Sequence, residues 1–175
     1  MTMNEERTPV STAADATPAG TQLSDSEVLD VLNDLLENCR DGEYGFRTCA
    51  EELDGNPELK QVFLDRAEGC RRAGEELQRL VVARGGEPDS GGSATGALHR
   101  GWVHVKGSLG ADSEVSMLEE CERGEDAAVA RYRKALKQPL PADVRSVVQA
   151  QAEGAQRNHD QIRNRRDAAK RAAGD

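Results

Sequence analysis

Residues 24–53 read SDSEVLDVLNDLLENCRDGEYGFRTCAEEL, and this stretch decides the fold. Val28, Leu32, Leu35, Cys39, Gly42, Phe46, Cys49 and Leu53 recur in alternating steps of four and three. On a helix of about 3.6 residues per turn, such steps hold one narrow apolar stripe on one face. A helix with a single stripe must bury it against other helices. Ser24-Asp-Ser-Glu27 is a capping box at its start: Ser24 can accept from a backbone N–H, and Glu27 can reach back. Gly55-Asn56-Pro57 stops this helix and begins another, with Asn56 as cap and Pro57 in the first helical position.

The pattern repeats outward from there. The second helix carries Leu59, Phe63, Arg66, Cys70, Ala73, Leu77 and Leu80, and ends on Gly85-Gly86. The third begins near Asp112, carries Val115, Leu118, Glu122, Glu125, Val129, Tyr132 and Leu136, and stops before Pro139-Leu-Pro141. The fourth begins at Pro141 and fades near Ala173-Gly174. Its stripe is Val144, Val148, Gln151, Ala155, Asn158 or His159, and Ile162. Each helix is roughly 40 Å long or more at about 1.5 Å per residue. No alternating or β-branched run predicts a strand. The fold class is therefore all-α, a four-helix bundle over residues 24–173, preceded by a disordered tail over 1–23 that is rich in Thr, Ala, Ser and Pro.

The connections set the topology. Short links make the first and second helices antiparallel, and likewise the third and fourth. The link over 86–111 is long enough to run the length of the bundle. It makes the second and third helices parallel, with one long crossover, as in ferritin-like bundles. Ala94, Leu98, Trp102 and Val105 predict a short helix within it. His99 and His104 flank Trp102 at a spacing that does not align two ligands on one helix face.

Composition bounds the function. The 175 residues are 31% charged and 3% aromatic, and 32 acids against 23 bases give a formal net charge of −9. That balance argues against a nucleic-acid partner. No window approaches the ~20 apolar residues of a membrane span. The start lacks a basic-then-apolar leader, so a cytoplasmic location is expected. Cys39, Cys49, Cys70 and Cys121 form no C-x-x-C pair and read as small core residues in a reducing compartment. No P-loop, G-x-S-x-G, G-x-G-x-x-G or H-E-x-x-H motif is present.

What remains is charge in expensive places. Glu122 and Glu125 fall on the stripe of the third helix, and Arg66 on that of the second. Counting residues from the helix ends puts Glu43 and His159 at the same level. Glu68 shares that level but points away from its stripe. Two readings stand. In one, Glu43, Glu122, Glu125 and His159 form a carboxylate–histidine site suited to iron, manganese or zinc. In the other, which the inward Arg66 favours, these groups form a buried network with Arg66 as counter-charge. Arg157, Arg163, Arg165, Arg166, Lys170 and Arg171 make the last helix basic. That charge suits the helix dipole, or alternatively a partner-binding patch.

The runs Leu32-Asn-Asp-Leu-Leu-Glu, Asp41-Gly-Glu-Tyr-Gly-Phe46, Gly96-Ala-Leu-His-Arg-Gly-Trp102, Leu118-Glu-Glu-Cys-Glu-Arg-Gly-Glu-Asp126 and Arg157-Asn-His-Asp160 resemble a bacterial ferritin-like four-helix-bundle family of unknown function, over about residues 27–168. The resemblance implies a bundle distantly similar to rubrerythrin and bacterioferritin. In that superfamily two metals are held by a Glu on the first and third helices and by Glu-x-x-His on the second and fourth. Glu43, Glu122 and His159 match three of those positions. The fourth helix reads Gln156-Arg-Asn-His159, without the Glu, and the second reads Glu68-Gly-Cys-Arg71, without the His. The resemblance thus implies a standard di-iron ligand set that is incomplete. The expected function is a non-catalytic, stress-associated bundle that self-associates, a dimer being one form open to it. A metal-binding redox or storage protein and an interaction module using the basic last helix are the alternatives.

Overall fold

The structure, a computed structural model, describes residues 22–90 and 113–174. Four helices make up the described part: α1 (Asp25–Glu52), α2 (Pro57–Ala83), α3 (Ser113–Leu136) and α4 (Ala142–Ala173). The expected tail, apart from its last two residues, and the expected short helix with His99, Trp102 and His104 lie outside the described residues.

The helix starts follow from local chemistry. The Glu27 backbone N–H donates to Ser24 Oγ, and the Ser24 N–H donates to Glu27 at 2.9 Å, closing the capping box. Asn56 accepts from the Leu59 N–H at 3.0 Å, with Pro57 beside it. After α2, Gly85 turns the chain at φ +71°, a left-handed conformation that glycine adopts without a Cβ penalty. Residues beyond it double back along α1: the Asp89 N–H donates to Asn33, and Arg40 donates to the Asp89 carbonyl.

Pairs of side chains fix the directions. Glu58 at the start of α2 meets Arg165 near the end of α4, and Arg84 at the end of α2 meets Asp143 at the start of α4. Asn56 before α2 donates to Glu114 at the start of α3 at 3.0 Å. Hence α2 runs antiparallel to α4 and parallel to α3. The bundle is two antiparallel hairpins, α1–α2 and α3–α4, joined by one long crossover. The hairpins touch mainly through α1 against α3, and much less through α2 against α4.

The apolar interior falls into two halves. One gathers Val28, Leu32, Leu35 and Leu36 with Leu77, Val81, Val144 and Val148. The other gathers Phe46, Leu53, Leu59 and Phe63 with Met117, Leu118 and Ile162. Charged and polar side chains meet between them.

Two stripes differ from the expected ones. On α2 the buried line is Leu59, Phe63, Ala67, Gly74, Leu77 and Val81. An extra step of four moves it one residue past Arg66, Ala73 and Leu80, because α2 packs chiefly on α1. Arg66 consequently faces α4. On α3 the buried line is Met117, Leu118, Cys121, Glu125, Val129, Tyr132 and Ala135. Glu125 stays on it, whereas Glu122 falls to its edge.

Phe63 is fully buried, with its ring centroid 6.2 Å from that of Phe46. Phe63→Ala is expected to cost about 3–5 kcal/mol, the range for deleting a buried aromatic ring. Urea denaturation of the variant against the parent measures it.

Candidate functional site

The middle layer is built from one inward position on each side of the bundle. Glu125 of α3 is 5% exposed, the most buried charged residue described. Arg66 of α2 reaches across to α4, where its terminal nitrogens donate to Asn158 Oδ1 and Gln161 Oε1. Its Nε is buried and has no protein partner. No ion pair within 4 Å links Arg66 to Glu125 among the described residues, so the guanidinium acts on the carboxylate through space. Arg66 thus serves as a counter-charge at a distance, without a direct ion pair. The rotated α2 stripe aims Arg66 at the amides of α4 instead.

Burial pushes Glu125 up to about 7, against the opposing pull of Arg66 and then His159. The carboxyl thus exchanges a proton near neutral pH. It lines a cavity of about 180 Å³ between α1 and α3, shared with Asp41, Phe46, Cys70, Cys121 and Arg131. Asp41 is pushed up to about 6 by burial and then by Glu37, with Arg131 opposing.

The other expected ligands point elsewhere. Glu122 pairs with Arg166 of α4 at 2.5 Å. His159 places Nε2 2.9 Å from Asp126 and Nδ1 3.1 Å from Asp160. Glu43 sits at the side of α1 and pairs with Arg47, one turn on, at 3.0 Å. Among the described residues, no group of three or more His, Cys, Asp or Glu side chains is placed to hold a metal ion. Glu43, Glu122, Glu125 and His159 do not fit a shared metal as placed. Each of Glu43, Glu122 and His159 is committed to a charged partner on its own side of the bundle.

Sequence reasoning missed two features. Arg166, read only as part of a basic run, holds Glu122. Arg165 likewise pairs with Glu58 at 3.2 Å, and Lys170 with Glu119 at 2.6 Å. Half of the six basic residues singled out on α4 thus bind it to α2 and α3. The second feature is a partly buried chain through all four helices. Tyr132 of α3 donates to Gln151 of α4 at 2.9 Å, and Gln151 donates to Glu76 of α2 at 2.8 Å. Cys39 of α1 lies 3.5 Å from the Tyr132 hydroxyl. The signal was available: Tyr132 and Gln151 are polar groups on their apolar stripes, and buried polar groups seek partners.

The raised Glu125 sets a pH dependence. The folded protein holds this proton more tightly than the unfolded chain, whose carboxyl titrates near 4.5. Stability is therefore expected to fall as pH rises from about 4.5 to about 7, by on the order of 3 kcal/mol. Around Glu125 stand Arg66 on α2, His159 on α4, Cys121 on α3 and Asp41 on α1. Asp41 adds a smaller slope of the same sign. Glu125→Gln is expected to remove most of this fall and to exceed the parent in stability at pH 8. Chemical denaturation across that range measures both.

Comparison with known proteins agrees with this architecture. The family described as "domain of unknown function (DUF2383)" matches residues 27–138. No sequence among the curated proteins matches the chain. Among solved structures, one described as a dodecameric thioferritin, the bacterioferritin-related protein from Bacteroides fragilis, superposes with a TM-score of 0.69. It is 15% identical, with 87% of this chain and 92% of that one covered. That likeness shows a ferritin-like fold. The chain belongs to the DUF2383 family and folds as a ferritin-like four-helix bundle.

Proposed function

We propose that this protein is a non-catalytic ferritin-like bundle, in which a Glu125–Arg66–His159 polar layer stands where related folds hold two metals. One observation carries the reading: a fixed guanidinium, Arg66, lies in the middle layer opposite the buried Glu125. A permanent positive charge there repels a cation, while lowering the cost of an ionised carboxylate. The pairing of Glu122 with Arg166 supports the same view.

In this reading the protein acts by association between copies, in the cytoplasm, and has the stress-associated role that the resemblance implies. The assembly described for the Bacteroides fragilis protein supports association in this fold. No described helix is long and apolar enough to cross a membrane. A role for α4 as a basic binding surface receives less support, because Arg165, Arg166 and Lys170 are held by acidic groups of α2 and α3.

Protein purified without chelator is expected to carry far less than one iron, manganese or zinc per chain. Light scattering is expected to give a mass that is a multiple of 18.9 kDa. Stoichiometric metal that disappears in Glu122→Ala would establish the metal-binding alternative. A monomer at every concentration would contradict action by association.

A further inference from the structure

The middle layer leaves two groups unused. Cys49 of α1 and Cys121 of α3 face each other across the seam where the hairpins meet. Both are buried, at 0% and 1% exposure, and their sulfurs lie 3.5 Å apart, with the Cys121 thiol donating to Cys49. A disulfide spans about 2.0 Å, so the sulfurs must close by about 1.5 Å, a shift within reach of side-chain rotation. The other two thiols are engaged differently. Cys39 lies against the Tyr132 hydroxyl, and Cys70 lies under Gly42, where an added Cβ would come within 2.8 Å of its sulfur. Cys121 also lines the cavity of about 180 Å³ between α1 and α3. That is several times the ~30 Å³ share of a water molecule, room enough for a small oxidant.

We propose that Cys49 and Cys121 are a redox modification site, which a small hydroperoxide converts to a disulfide tying α1 to α3. The Cys121 sulfur attacks the peroxide and the O–O bond breaks. An alcohol, or water from hydrogen peroxide, leaves, and Cys121 becomes a sulfenic acid. The Cys49 sulfur then attacks it, the S–S bond forms, the S–O bond breaks and water leaves. Two thiols lose two electrons, and the peroxide is reduced by two. Burial, and next the Cys49 neighbour, hold the Cys121 thiol well above its ordinary range, so the reaction is slow. Its consequence is structural. The hairpins touch mainly between α1 and α3, so the bond reinforces the seam that carries most of their contact.

The test treats the full chain with hydrogen peroxide, alkylates the remaining thiols under denaturing conditions and maps the peptides by mass spectrometry. The expected product joins the Cys49 and Cys121 peptides, lacks two hydrogens and reverts with reductant. It persists in Cys39→Ser and Cys70→Ser and is absent from Cys49→Ala and Cys121→Ala, with circular dichroism confirming that these fold. The oxidised protein is expected to unfold at higher urea than the reduced one. A Cys39–Cys70 bond, a bond between chains alone, or four free thiols after prolonged treatment would overturn the proposal.

Discussion

An ionisable carboxyl in the middle of a helical bundle is the constraint around which this structure is arranged. Glu125 sits between two apolar half-cores, where an uncompensated charge costs several kcal/mol. The structure compensates in two ways. The carboxyl is held largely protonated below about pH 7, and the Arg66 guanidinium lowers the cost of its charged form. Arg66 itself is held by Asn158 and Gln161, so the layer couples α2 and α4, which otherwise meet little.

Further ion pairs join neighbouring helices. Arg84–Asp143 and Arg165–Glu58 tie α2 to α4 at opposite ends, while Arg166–Glu122 and Lys170–Glu119 tie α3 to α4 within one hairpin. Such pairs are individually weak when exposed. They nevertheless specify which helix lies beside which, since each joins two helices in one register. The Tyr132–Gln151–Glu76 chain does the same from the edge of the core outward. A protein with so few aromatic residues thus uses polar matching, together with narrow apolar stripes, to select one packing.

Most of the fold was legible in the residues. The capping box at Ser24, the break at Asn56-Pro57 and the heptad of α1 give helix starts, and the connection lengths give the topology. The site was less legible, because height along a helix is easier to count than direction around it. One extra four-residue step turned α2 enough to send Arg66 to α4. A similar edge position sent Glu122 to Arg166. Glu125 was recoverable because it lies on the stripe under either reading. The partners Asn158, Gln161, Asp126 and Arg166 depend on how two hairpins face each other, and no single-helix pattern encodes that.

The central claim is that Arg66 stabilises the ionised form of Glu125 in place of a metal. A double-mutant cycle with Arg66→Met, Glu125→Gln and their combination tests it, through unfolding free energies at pH 8 and pH 5. At pH 8, Glu125→Gln is expected to gain about 1 kcal/mol more in the Arg66→Met background than in the parent. That difference is expected to shrink at pH 5, where Glu125 is protonated in either background. Additive effects at pH 8, or a coupling unchanged at pH 5, would contradict it.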